Sequence, residues 1–420
     1  MTRLHCGVDF GTTNSTVGLC APGGSPELVA VEGENVTIPS ALFFSLEAGN
    51  SVHFGRAAVR EYMDGAEGRF MRALKSVLGT GLMKETTQVG RDRMTFQGLI
   101  GRFLRHLHQR IEERQGDSPE QVVFGRPVRF VDDDEAADRI AQDQLREAAT
   151  LAGFRHVEFQ FEPVAAALHV ERELNGEALA LVVDIGGGTS DFSVLRLSPE
   201  RARRADRSGD ILSTAGVHVG GTDFDRQLSI ARVMPRFGLG SHTADGRRHL
   251  PVWYFNDMAT WHRINQLYTA KTMRDIRSLA REAAEPEKLA RYEHLLVHRS
   301  GHRLAARVEG AKIELTEAPA TVVTFEERGL ALALPVTRSE FEQASAELVG
   351  RIGQAIDEAL RIAAVEAEVI DTVILTGGGA QVPLARATAM ARFPHARIPR
   401  SDQFGSVGLG LAVDAARRFG

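Results

Sequence analysis

Two stretches of this chain share one layout, and that repetition constrains its fold more than anything else in the sequence. The first runs Val8-Asp9-Phe10-Gly11-Thr12-Thr13-Asn14-Ser15-Thr16-Val17. The second runs Leu181-Val182-Val183-Asp184-Ile185-Gly186-Gly187-Gly188-Thr189-Ser190-Asp191 and continues into an apolar run at 192–197. Each has an apolar strand of the kind buried on both faces, an aspartate where that strand ends, a turn of glycine and threonine, and a second strand. Glycine lets the backbone turn sharply and bring its N–H groups close to a ligand. Alone, one such turn would read as an ordinary hairpin. Two copies predict two similar lobes, each presenting an acid-tipped phosphate clasp to a shared cleft. Facing carboxylates in an all-oxygen setting suit hydrated magnesium. No Gly-Lys-Ser/Thr opens a helix, so a P-loop is excluded.

At 420 residues the chain is too long for one simple core. The net charge of −5 argues against a dedicated nucleic-acid binder. The arginines within 201–207, and Arg247-Arg248, are expected to be solvated. Cys6 and Cys20 are the only cysteines, flank the first clasp and suggest no disulfide framework. Neither a signal peptide nor a membrane-spanning run is expected, so the reading is cytoplasmic, with no membrane partner.

Further along, Lys75 sits in an apolar context. Its ammonium could enter a cleft or snorkel to the surface. Apolar spacing predicts a helix over 99–113, in which His106 and His108 cannot share a face to bind a metal. Strand pieces are expected at 122–124 and 128–130 around Pro127, then a helix from Asp132 to about 152 capped by Gly153. Glu162 ends a strand just before a helix, where it could orient water or simply favour the helix N-terminus.

Past the second clasp, Gly220-Gly221 opens a helix with Thr222 and Asp225 in capping-box-like positions. Residues 238–300 read as less regular, with Trp253, Tyr254, Phe255 and Trp261 as a small core. A helix over 304–315 places Glu309, Lys312 and Thr316 on adjoining positions. A hairpin follows at 321–334, and a capping box at Ser339 and Glu342 is expected to open a long helix. The strand 373–376 ends in Gly377-Gly378-Gly379, a turn suited to close approach by a nucleotide. No His, Cys or carboxylate cluster shows a familiar zinc spacing.

In order, these motifs resemble the ATPase region of the Hsp70 family, within the actin-like and sugar-kinase-like superfamily. Gly7 to Ser15 resembles its first phosphate motif and Asp184 to Asp191 its second. Glu162-Pro163-Val164-Ala165-Ala166-Ala167-Leu168 is similar to its Glu-Pro-Thr-Ala-Ala-Ala segment, and Ala73 to Gly79 looks like its catalytic-lysine segment. Glu309, Lys312 and Thr316 have the spacing of its adenosine contacts, and Gly377-Gly378-Gly379 resembles its adenosine turn. The ending, Phe404 to Leu411, looks most like the YegD-type short branch, which lacks the peptide-binding half.

The resemblance implies an α/β chain of the actin-like ATPase fold, with a duplicated ribonuclease H-like motif and two lobes about a nucleotide cleft. Lobe I is expected over 1–177 (core 1–36 and 118–177, inserted subdomain 37–117). Lobe II is expected over 178–399 (core 178–220 and 336–399, inserted subdomain 221–335), and 400–420 as a helix returning to lobe I.

The resemblance also implies roles. Gly11, Thr12, Thr13, Gly186, Gly187, Gly188 and Thr189 would hold phosphates. Asp9 and Asp184 would hold magnesium through water, and Lys75 would neutralise the γ-phosphate. Glu162 would order water and metal, and Asp184 or Thr189 would help place the attacking water. Gly220, Gly221, Glu309, Lys312, Thr316, Gly377, Gly378 and Gly379 would line the nucleotide pocket.

The implied activity is a weak ATPase, turning ATP and water into ADP and phosphate, in a monomeric chaperone homologue with an unknown protein client. A nucleotide-gated scaffold without turnover, or a small-molecule kinase, are the alternatives. Two departures stand out. Gly379 and Gln381 replace the family's Ser and Arg in the adenosine turn. Gln142 aligns with the arginine that partners the switch proline, here Pro127.

Overall fold

The strand His5–Phe10 runs through a six-stranded sheet whose order sets the tip of the first clasp. In the computed structural model, which describes residues 4–46, 51–89, 92–131, 134–171, 174–204, 206–399 and 405–420, this strand pairs antiparallel with Asn14–Cys20. On its other side it pairs parallel with Gln121–Arg126, which pairs parallel with His156–Phe161. A second sheet repeats the plan: Ala178–Ile185 pairs antiparallel with Ser190–Leu197 and parallel with Thr372–Thr376. The two hairpins also match in register. Asp9 stands opposite Thr16, and Asp184 opposite Asp191, each one residue from the strand's last.

The chain divides into two compact units. The first contains residues 1–216, 355–380 and 389–420, and so holds both clasps. The second contains 217–354 and 381–388.

In the first unit the C-terminal helix Ser406–Phe419 lies against both strands of the first hairpin and against helix Glu162–Glu171. The approach is close enough to require glycine. A methyl group on Gly7 would sit 2.3 Å from the amide nitrogen of Ala412, and one on Gly18 the same distance from the carbonyl oxygen of Gly408. One on Gly410 would fall 1.8 Å from the carbonyl oxygen of Ala165. Cys6 and Cys20 are buried thiols whose register positions in this hairpin are adjacent, so their side chains leave opposite faces.

Helix Phe96–Gln115 forms where its apolar spacing predicts. Thr95 accepts a bond from the Gly98 amide at its start, and Gly116 ends it at φ 76°. Leu99, Phe103, Leu104, Leu107 and Ile111 make its buried face. His106 stacks flat on Phe54 at 4.3 Å and 2°, and His108 meets the ring of Phe154 edge-on.

Burial, with Arg110 assisting, pushes His106 down to about 4 from 6.5, against weaker opposing pulls from Glu32 and Glu113. Between those values the unfolded chain takes a proton that the folded chain refuses. Stability should therefore fall as pH drops from 6.5 towards 4. His106→Phe keeps the stack and removes that proton. Urea midpoints measured across this range should slope less steeply with pH in the variant, and equal slopes would refute the assignment.

Several local expectations are corrected. Residues 128–130 form no strand, because the Phe130 amide donates to Asp138 at 2.6 Å and the Arg126 guanidinium takes the carbonyls of Pro127 and Val128. The following helix is Glu135–Ala152, capped by Asp134, which accepts from the amides of Ala136 and Ala137; residues 132 and 133 lie outside the described residues.

The second unit is far more helical than its 238–300 region suggested. It contains Trp253–Ala259, Ala270–Glu282 and Pro286–Val297, whose starts at Thr269 and Pro286 suit helix entry. Tyr254 and Phe255 are core residues, whereas Trp253 is 44% exposed. Helix Gly221–Leu228 is capped not by Thr222 and Asp225 but by Asp223, whose carboxylate accepts from the Gly220 amide at 2.9 Å. The long helix Arg338–Ala363 starts with a capping box two residues earlier than expected. The Glu340 carboxylate accepts from the Thr337 amide at 2.9 Å, and the Thr337 hydroxyl from the Glu340 amide at 3.2 Å.

The solvated reading of the arginines holds only in part. Arg247 and Arg248 are solvated, but Arg207 is completely buried. Among the described residues no helix is long and apolar enough to cross a membrane.

Candidate functional site

The first unit gathers Asp9, Lys75, Glu162 and Asp184 into one electrostatic cluster. Lys75 reaches it from the short 3₁₀ turn Leu74–Val77. Ala73, just before, has left-handed backbone angles (φ 55°, ψ 35°), an unusual state for a non-glycine residue. Buried Leu74 and Leu78 anchor the turn on either side of the lysine. Gly79, at φ 76°, then donates its amide to the Gln144 side chain at 2.8 Å. Lys75 is thereby turned inward, 8% exposed, and makes an ion pair with Glu162.

Glu162 heads its helix directly after strand His156–Phe161. Gly125 on the neighbouring strand leaves room for it, since a methyl there would lie 3.1 Å from Glu162 Cγ.

Burial disfavours the Lys75 ammonium, but Glu162, Asp9 and Asp184 outweigh that and hold its pKa above the usual value. Asp9 is pushed up to about 7 by burial and by Glu162, with Lys75 opposing. Asp184 is pushed up to about 8 by burial and by Asp191, Glu162 and Asp9, again against Lys75. Several carboxylates thus act on a single ammonium. Such a cluster is under-neutralised when ionised.

The clasp turns themselves are tightly built. The Gly186 amide donates to the Thr189 carbonyl at 2.9 Å, and the Thr189 hydroxyl to Asp191 at 3.2 Å. Thr12, Gly188 and Thr189 are exposed, while Gly11, Thr13, Gly186 and Gly187 are partly buried. The two turns meet: a methyl on Gly187 would fall 2.1 Å from the Thr13 hydroxyl oxygen. Gly377, at φ 81°, is equally confined, its missing methyl lying 2.3 Å from the Ile185 carbonyl oxygen and 2.6 Å from Asp184 Oδ1. The Gly378–Gln381 turn follows, with Gly379 against Ile185.

Sequence reasoning missed Ser40. Its hydroxyl donates to the Gly11 carbonyl at 2.6 Å and lies 2.9 Å from the Ser15 hydroxyl, and its amide donates to the Thr13 carbonyl at 2.8 Å. Only strand pairing of Thr37–Pro39 with the first hairpin brings it there, so no local motif could have marked it.

Gln142 does not leave Pro127 without a nearby arginine. It accepts from Arg126 at 2.6 Å, and Arg126 also pairs with Asp138 at 2.6 Å while lying over the rings of Phe130 and Phe161. The arginine beside Pro127 therefore comes from the end of the strand just before it rather than from the helix.

The second unit holds the other predicted residues. Lys312 pairs with Asp225 at 2.9 Å and donates to the Gly221 carbonyl at 3.2 Å. Burial, only partly opposed by Lys312, raises Asp225 to about 6. Glu309 is exposed and sits near enough to Asp225 to raise it further. Thr316 spends its hydroxyl on the Ile313 carbonyl of its own helix at 2.7 Å. The expectation about metals also changes: His294, His298 and Glu327 come together, with one ligand atom of each within 4.8 Å of the others. The i, i+4 spacing of the two histidines was visible in the sequence, but the glutamate arrives from a distant hairpin.

Two acid-tipped hairpins on repeated sheets, with a buried lysine and a helix-heading glutamate beside them, define an actin-like α/β ATPase fold. The model of the family described as "Hsp70 protein" matches residues 5–237 and 287–416. The chain belongs to the Hsp70 family. It is 27% identical over 414 residues to "Chaperone protein DnaK" of Thermosipho melanesiensis, an alignment covering 98% of this chain and 58% of that one. The DnaK chaperones of Thermosipho africanus and Thermotoga neapolitana are also 27% identical, over 98% of this chain and 58% and 59% of theirs. The chain therefore spans a little under three-fifths of the length of these curated relatives.

Proposed function

We propose that this chain is a chaperone-type ATP-binding protein that hydrolyses ATP slowly with magnesium and acts on an unspecified protein client. The observation that carries this reading is the meeting of the two clasps beside a carboxylate cluster that one lysine does not neutralise. A divalent cation carrying a polyphosphate would complement such a site. The donor set fits magnesium, since Asp9 and Asp184 offer only hard oxygen and, among the described residues, no sulfur or imidazole belongs to the cluster.

Gly11, Thr12, Thr13 and Gly186 to Thr189 are assigned to the phosphates, and Asp9 and Asp184 to the magnesium through water. When bound, the cation would offset phosphate charge. Lys75 is assigned to the terminal phosphate. Glu162, with Asp184 or Thr189, is assigned to orient the attacking water. Phosphoryl transfer needs positioning and charge stabilisation more than covalent chemistry, and this set supplies both. Gly220, Gly221, Glu309, Lys312, Thr316 and Gly377 to Gly379 are assigned to the nucleoside end. The lobe boundaries at 177 and 399 belong to the same proposal, with closure of the lobes as its mechanical output.

Calorimetry of the full chain with ATP and with ADP, each with magnesium, should show saturable binding of both nucleotides. Single-turnover hydrolysis then separates a slow ATPase from a nucleotide-gated scaffold. Gly187→Val drives a side chain into Thr13, displaces the two turns and should weaken ATP binding about 100-fold. Failure of the wild-type chain to bind either nucleotide would end this reading.

A further inference from the structure

The second unit brings two imidazoles and a carboxylate together where its helix Pro286–Val297 ends. His294 lies in the last turn and His298 at the C-cap, so their i, i+4 spacing puts both on one face. Their rings stack with centroids 4.0 Å apart and 27° between planes. Glu327 ends the strand Ala320–Glu327. Its Oε2 lies 3.0 Å from His294 Nε2, while its other oxygen pairs with Arg303. The turn beyond it contains Gly329 at φ 93°, and a methyl there would be 3.6 Å from His294 Cε1, so the hairpin tip lies over the imidazole.

We propose that His294, His298 and Glu327 form a binding site for a divalent transition metal of the zinc class, with three protein ligands and a fourth position for water. Two imidazole nitrogens and one carboxylate oxygen suit zinc's borderline softness, and the 3.0 Å between His294 Nε2 and Glu327 Oε2 is about one edge of a tetrahedral site.

The supporting contacts are of the right kind. His298 Nδ1 lies 3.0 Å from the His294 carbonyl oxygen. As an N–H donor there, Nδ1 leaves Nε2 unprotonated and able to ligate. Arg303 holds the second carboxylate oxygen and leaves Oε2 for the metal. Glu327 and His294 are 7% and 14% exposed, whereas His298 is open to solvent and gives an entry path. A bare histidine–glutamate pair would account for His294 and Glu327, but not for a second imidazole stacked beside them with a bonded Nδ1. Bound metal would tie the helix to the hairpin within this unit. The proposal does not depend on the nucleotide site.

The test uses the full chain, stripped with EDTA, dialysed and titrated with zinc chloride in a calorimeter and with cobalt chloride by visible absorption. One zinc per chain and the strong visible bands of tetrahedral cobalt are expected. His298→Ala and Glu327→Gln should each weaken zinc binding at least tenfold, by about the factor that disturbing a metal's ligand set produces. His249→Ala, in the tilted ring pair that His249 makes with His242, should leave it unchanged. Zinc should raise the melting temperature of the wild-type chain and not that of His298→Ala, an exposed substitution that leaves the fold intact in EDTA. Absence of saturable zinc binding, or binding unchanged in both ligand variants, would overturn the proposal.

Discussion

Lys75→Ala is expected to bind ATP within about tenfold of the wild-type affinity and to lose hydrolysis by about 10²–10³-fold. The reason lies in what the ammonium faces. It is paired with Glu162 and held positive by Asp9 and Asp184, so it is charged at any working pH. A charge fixed in a site largely shielded from water acts strongly on charge that develops during reaction and needs no reorganisation. Binding should survive, because the proposed phosphate grip is shared among the turn residues and the cation. The same substitution removes the one group that opposes the upward shift of both aspartates, so they should hold their protons to still higher pH. Lys75→Met, which keeps the apolar stem, separates charge from packing and should behave as Lys75→Ala does. Calorimetry and single-turnover hydrolysis on the same preparations decide it, and undiminished turnover would remove Lys75 from the mechanism.

Arg207→Ala should cost about 3–5 kcal/mol of stability, the range expected when one partner of a buried ion pair is removed. Arg207 is fully buried and bidentate to Glu171, at 2.9 and 2.8 Å, and it also pairs with Asp210. Glu171 is itself completely buried and accepts from the Ser198 amide at 2.8 Å. Burial pushes the Glu171 carboxyl up, and Arg207 is the main influence opposing that shift. Without the guanidinium, two carboxylates remain in the interior with too little to offset them, and one must take up a proton or draw in water. Arg201 also pairs with Asp210, but it shares its charge with Glu177.

The effect should reach the proposed site, because Glu171 ends the helix that Glu162 begins. Arg207→Lys should recover only part of the loss, since an ammonium cannot reproduce two parallel bonds. Urea unfolding measures the stability, and a loss under about 1 kcal/mol would show that the interior reorganises around the gap.

These two residues were unequally visible in the sequence. Lys75 stands in a short apolar segment, and its segment resembles one with a known role, so its inward course was one of two readings. Arg207 looked like part of a solvated basic run. Its burial follows from Glu171 and Asp210 converging on it, which no spacing near Arg207 announces. Ser40 and Arg126 were hidden for the same reason. Each acts through a partner that strand pairing or helix packing supplies. The helices between 253 and 297 were missed because Trp253–Ala259 is too short to show a period, and Ala270–Glu282 carries only Met273, Ile276 and Leu279 as large apolar residues among charged ones.

The sequence by itself determined the two acid-tipped hairpins, the glycine turns, the order of the motifs and the family. These depend on neighbours along the chain, where the alternation of apolar residues and the freedom of glycine act locally. Only the tertiary structure decided that Asp9, Lys75, Glu162 and Asp184 share one electrostatic field, that Arg207 is interior, and that Glu327 joins His294 and His298. Each of those facts depends on burial and on charges brought close from distant parts of the chain, and both are properties of the packed molecule.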